Sequence, residues 1–228
     1  LQQPLLVATR VIPPFVLSNK GELSGFSIDL WRSIATQIGI ESKLIEYSSV
    51  PELISAIKDN KVNLGIAAIS ITAEREQNFD FSLPIFASGL QIMVRNLESG
   101  TGDIRSIDDL PGKVVATTAG STAATYLREH HISVLEVPKI EEAYKALQTK
   151  KADAVVFDAP VLLFYAANEG KGKVEIVGSI LREESYGIIL PNNSPYRKPI
   201  NQALLNLKEN GTYQSLYDKW FDPKNSLE

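Results

Sequence analysis

Short apolar runs alternate along this chain with segments of helical period in the order β-α-β-α-β, and near residue 113 the same order begins again. This alternation constrains the fold more than any other feature. Strands separated by helices are joined by crossovers, and crossovers make mainly parallel sheets covered by helices. In the first half the pattern predicts strands at 5–9, 43–47 and 63–68. It predicts a helix over 26–39, with Phe26, Leu30, Ile34 and Ile38 at four-residue spacing and Gly39 as its stop. A short helix at 51–60 carries Pro51 in its first turn. In the second half, strands at 113–117, 134–137 and 154–157 alternate with helices at 121–129, 141–150 and 159–168.

Two further strands, 89–95 and 186–190, flank the second set, and helices at 195–210 and 212–220 end the pattern. Those last helices have nothing left to build except a return to the first lobe. The expected architecture is therefore α/β with two lobes joined by two hinge strands: 1–92 with 188–228 as a discontinuous first lobe, and 93–187 as the second. A chain of 228 residues suits two lobes of about a hundred residues each. Hinged clefts of this kind close on small ligands.

Composition removes several function classes. Lys+Arg is 23 and Asp+Glu is 27, a net charge of −4, which gives no reason to expect nucleic acid or an anionic membrane as partner. The longest apolar runs, such as 152–165, are broken by Asp153, Asp158 and Pro160, so this piece carries no membrane span. The chain has no cysteine, which excludes disulfides, thiolate metal sites and cysteine nucleophiles. It begins at Leu1 and reads as a processed or excised piece, with Leu227-Glu228 as a cloning remnant.

Three places carry recognisable chemistry. Ser70 and Arg75 follow the predicted strand at 63–68, and ligands in open α/β sheets sit beyond the carboxyl ends of strands. Arg75 offers a planar fork that matches a carboxylate; its alternative is a surface pair with Glu74, Glu76 or Asp80. Gly120, Ser121 and Thr122 follow the strand at 113–117 and open a helix. Free N–H groups there form an anion site, with an ordinary N-cap as the alternative. Asp158 follows the strand at 154–157, where it either caps the next helix or accepts from a ligand ammonium. An arginine fork, a helix-start anion site and a carboxylate together match an α-amino acid with a second acid group. His130-His131 sits at a helix end with no second ligand pair, so neither a metal nor another cofactor is expected. There is no Gly-x-Ser-x-Gly elbow and no P-loop ending.

In this order, the stretches GELSGFSIDL (21–30), SITAER (70–75), FDFSLP (79–84), GST (120–122) and ADA (152–154) resemble the polar amino-acid binding proteins. The same type II periplasmic-binding-protein-like fold forms the ligand-binding core of ionotropic glutamate receptors. The resemblance runs from about Leu5 to Trp220 and implies specific roles. Arg75 and Ser70 would bind the α-carboxylate, and the Ala68 carbonyl and Asp158 would take the α-ammonium. Ser121 and Thr122 would donate from the second lobe, with Thr122 reading a side-chain carboxylate. Binding proteins for basic amino acids often stack the ligand between aromatics and carry an acid for its distal cation. Ile12, Val50 and Thr9 stand at those places, which favours glutamate over arginine, lysine or histidine and leaves glutamine, aspartate and serine open.

The resemblance leaves two settings open. One is the core of a prokaryotic glutamate-gated potassium channel on the periplasmic or extracellular side of the inner membrane, as a dimer or tetramer. There, residues 99–103, with Gly100-Thr101-Gly102, would be an engineered linker replacing a pore segment. The other is a periplasmic protein delivering an amino acid to a transporter. An enzyme is not expected, because Asp158 is the one obvious carboxylate for acid catalysis and is assigned to the ammonium.

Overall fold

A computed structural model describes residues 3–96 and 103–222. The Gly100-Thr101-Gly102 join and Leu227-Glu228 lie outside the described residues. The chain divides into two compact units, residues 1–86 with 185–228, and residues 87–184. It opens with β1 (Leu5–Thr9), β2 (Leu17–Asn19), β3 (Glu22–Ser24), α1 (Phe26–Ile38), β4 (Ser42–Glu46) and α2 (Val50–Lys58). Next come β5 (Leu64–Ser70), α3 (Ala73–Glu76) and β6 (Phe79–Phe81). Strand β7 (Phe86–Arg95) leads into the second unit, which holds β8 (Val115–Thr118), α4 (Thr122–Glu129), β9 (Val134–Val137), α5 (Ile140–Gln148), β10 (Ala154–Asp158) and α6 (Ala159–Ala167). Strand β11 (Val174–Pro191) leads back, and α7 (Arg197–Glu209) and α8 (Thr212–Phe221) follow.

In the first unit the strand order is β4-β1-β5-β11, with β6 also paired to β11. Strands β4, β1 and β5 run parallel, and β11 is antiparallel to β5. All seven residues of β5 are buried. That explains its nearly unbroken apolar sequence, since a parallel strand covered on both faces has no polar side to show. Leu53 and Ile57 of α2 pack with Ala67, Ile69 and Phe81, and α1 buries Phe26, Leu30, Trp31 and Ile34. Helices α7 and α8 pack on α1, where Lys219 Nζ and Trp220 Nε1 each donate to Asp29 Oδ2 at 2.8 Å. Phe15, Phe86, Tyr186 and Phe221, remote in sequence, form one aromatic cluster in which Phe15 meets Phe86 and Tyr186 edge-on.

In the second unit the order is β11-β7-β10-β8-β9. Strands β10, β8 and β9 are parallel, and β7 is antiparallel to β10. Its core combines Leu90, Ile92 and Val94 of β7 with Ala123, Tyr126 and Leu127 of α4. No helix among the described residues is long and apolar enough to cross a membrane.

Several observed elements depart from the sequence pattern, among them α3 and β6, which it did not mark. Strand β5 extends to Ser70, two residues beyond the expected end, because Ile69 and Ser70 pair with Gly187 and Tyr186. Strand β11 begins at Val174, twelve residues before the apolar run that marked it, and its first part mixes apolar residues with exposed Gly178, Ser179 and Glu183. The hairpin of β2 and β3 has strands of only three residues, too short for a period to show. Its two-residue loop, Lys20 (φ 53°) and Gly21 (φ 82°), has the positive φ values that suit a tight hairpin.

Candidate ligand-binding site

In the first unit the candidate residues gather at the carboxyl ends of β1 and β5. Ser70 is the last residue of β5 and is 3% exposed. Three residues on, α3 begins with Thr72 as its cap, whose hydroxyl accepts the Arg75 N–H at 3.1 Å. This single turn swings Arg75 back over the strand end, where its Nη1 donates to the Ser70 carbonyl at 2.7 Å. The guanidinium is thereby fixed beside Ser70 rather than extended from the surface. Ser70 and Arg75 are thus brought together, but Ser70 lies inside the strand and not beyond it.

Ala68 adopts φ 55°, in the left-handed region, within β5. A non-glycine residue there costs about 1–2 kcal/mol, and such strain gathers at functional sites. Its carbonyl accepts Arg10 Nη2 at 3.3 Å, and the Ala67 carbonyl accepts Arg10 Nε at 3.2 Å. A cation therefore already sits on the oxygen expected to meet a ligand ammonium. A carbonyl has two lone pairs, so both can be held, but an adjacent anionic group is needed to offset the two charges. Thr9 directs its hydroxyl to the Ile66 carbonyl at 2.7 Å, and Ile12 and Val50 are buried.

The second unit holds the others. Gly120, at φ 73°, makes the turn from β8 into α4. The Ser121 hydroxyl donates to the Thr118 carbonyl at 2.7 Å and accepts the Ala124 N–H at 3.1 Å, so it is a helix N-cap. Thr122 donates its hydroxyl to Glu184 Oε1 at 2.8 Å. Neither hydroxyl proton is directed as expected, while the first-turn N–H groups of Thr122 and Ala123 have no intrahelical acceptor, as at any helix start. Asp158 ends β10 and is 5% exposed. It precedes α6 at the N-cap position but makes no capping hydrogen bond with its side chain, so capping does not explain it.

Arg10, Arg182 and Glu184 did not stand out in the sequence. Arg10 could have been found, because it follows β1 as Ser70 ends β5, at a strand terminus. Arg182 and Glu184 lie in the polar part of β11 that the apolar pattern did not mark. Among the described residues no group of three or more His, Cys, Asp or Glu is arranged to hold a metal ion.

The family whose sequence model matches residues 5–223 is described as bacterial extracellular solute-binding proteins, family 3. The GluR0 ligand-binding core from Nostoc punctiforme, solved in complex with L-glutamate, is 96% identical, with 96% of this chain and 100% of that chain covered and a TM-score of 0.92. A second GluR0 ligand-binding core complex with L-glutamate is 30% identical over 96% of this chain and 98% of that one, with a TM-score of 0.88. The ABC transporter glutamine-binding protein GlnH of Bacillus subtilis is 31% identical over 208 residues, covering 89% of this chain and 74% of that protein.

Proposed function

Because the chain belongs to the bacterial extracellular solute-binding proteins of family 3, we propose that it binds L-glutamate as the ligand-binding core of a glutamate-gated channel, without altering the ligand. The observation that carries this reading is its 96% identity to a core solved with L-glutamate. Arg75, held at the end of β5, supplies the fork for the α-carboxylate, together with Ser70. The Ala68 carbonyl and Asp158 receive the α-ammonium. The start of α4, through Thr122 and its neighbours, receives the side chain. Both units contribute, so the ligand favours whichever arrangement lets both sets of groups reach it. Such a shift is limited by the difference in affinity between the two arrangements. In the channel this closure pulls on a pore from the periplasmic or extracellular side, and the cores associate as dimers or tetramers.

A thermal-shift series with the twenty amino acids tests the ligand, since a ligand stabilises only the folded form that binds it. Glutamate is expected to raise the unfolding midpoint most, and an arginine or lysine response of equal size would overturn the assignment. Recovery of unchanged glutamate after long incubation tests the absence of turnover.

Thr122→Ala is expected to weaken glutamate by about 1–2 kcal/mol more than it weakens alanine or serine. The hydroxyl stands on one oxygen of Glu184, and without it that carboxylate opposes a ligand side-chain acid. Equal losses across the three ligands in isothermal titration would remove Thr122 from side-chain recognition.

The 31% identity to a glutamine-binding protein of a transporter supports a second reading, delivery of a polar amino acid to a membrane permease. The full-length gene separates the two. Hydrophobic spans interrupting it near residue 100 identify the channel, and an uninterrupted gene identifies the transport protein.

A further inference from the structure

A threonine hydroxyl carries one proton, and where it goes decides what the oxygen can do for a ligand. In Thr122 it goes to Glu184 Oε1 at 2.8 Å. The Glu184 side chain is 4% exposed, and its other oxygen accepts from Arg182 Nη2 at 3.2 Å. Arg182 is itself held: Nη2 also donates to the Thr122 carbonyl at 3.3 Å, Nη1 lies 3.8 Å from Glu129, and the guanidinium sits over the Tyr126 ring at 5.3 Å. An ionised carboxylate only accepts, so this network fixes the polarity of the Thr122 hydroxyl. Its lone pairs, not its proton, are presented to any group arriving at the start of α4.

A carboxylate and an amide meet this arrangement differently. A ligand carboxylate takes the first-turn N–H groups of α4 but gains nothing from an oxygen that only accepts, and it faces the charge of Glu184. An amide can place its oxygen on the same N–H groups and donate its NH2 to Thr122 Oγ1. We infer that Glu184 is a specificity-determining positioning residue, which sets the Thr122 hydroxyl to accept and so admits the side-chain amide of glutamine alongside the carboxylate of glutamate. This inference rests on the reading that the start of α4 receives the ligand side chain.

Glu184→Gln tests it. In the variant Arg182 keeps its acceptor only if the new amide oxygen turns towards it. The amide NH2 then faces Thr122 Oγ1, and the hydroxyl proton turns to the ligand. Glutamate and glutamine affinities are measured by isothermal titration on the wild-type chain and the variant, with circular dichroism melts to establish folding. The preference for glutamate over glutamine is expected to rise about tenfold, the effect of gaining one hydrogen bond and losing one charge opposite the ligand. Glu184→Ala, which deprives the hydroxyl of its acceptor, moves the ratio in the same direction and serves if the first variant does not fold. A ratio that stays constant while both affinities fall together makes Glu184 purely structural and overturns the inference, as does a ratio that falls. Wild-type chain that binds neither amino acid overturns the underlying ligand assignment instead, a result separate from any change in ratio.

Discussion

Arg75→Ala is expected to lower glutamate affinity by on the order of 3–5 kcal/mol, roughly a hundred- to several-thousand-fold. The guanidinium can meet a carboxylate with two parallel charge-assisted bonds. Its position is set by the Thr72 cap and the 2.7 Å bond to the Ser70 carbonyl. Removing it takes away the fork and also the clamp on the end of β5. Arg75→Lys separates these losses, because lysine restores the charge but not the planar pair of donors and should recover only part of the affinity. Isothermal titration is the measurement, with ligand-free unfolding midpoints to show that the fold persists. Near-wild-type affinity in Arg75→Ala would exclude it from α-carboxylate binding.

Gly25→Ala should be the most damaging single methyl group in the first unit, with a loss of about 3–5 kcal/mol of stability. Gly25 stands before α1 at φ 121°, and no side chain caps that helix. Backbone carbonyls do so instead: Pro14 accepts the Phe26 N–H at 3.2 Å and Phe15 accepts the Ser27 N–H at 3.0 Å. This close approach leaves no room, because a Cβ at Gly25 would lie 2.3 Å from the Phe15 carbonyl oxygen. Both partners are backbone, so the clash cannot be relieved by a rotamer change. Displacing Phe15 also disturbs its edge contacts with Phe86 and Tyr186. Gly39→Ala is the control. Gly39 also has positive φ, 77°, but a Cβ there meets nothing within 4 Å, so the loss should be only about 1 kcal/mol. Urea midpoints that fall equally for the two variants would show that the carbonyl contact is not what requires glycine at 25.

The same Gly25 belongs to the 21–30 motif that marked the family resemblance, yet its reason lies in a loop ten residues earlier. Much of the chain divides in this way. The strands at 5–9 and 134–137 and the helix start at Phe26 were readable because each depends on side-chain period and on flanking glycine, proline or serine. The end of β5 was not, because backbone pairing of Ser70 with Tyr186, not local apolarity, keeps it extended. The candidate site shows the same division. Arg75 and Thr122 were singled out from their places after strands, and Arg10 could have been singled out by that rule. The partners that orient them could not.

Local pattern alone determined the repeated α/β grammar and, to within a few residues, where its strands lie, and hence which residues were candidates to meet a ligand. Those are properties of neighbouring residues, and periodicity records them directly. Tertiary structure decided what each group does there. It set a cation on the Ala68 carbonyl and gave the Thr122 proton to a carboxylate 62 residues away. A hydrogen-bonding group's direction depends on its partner, and when the partner is distant in sequence no local pattern carries it.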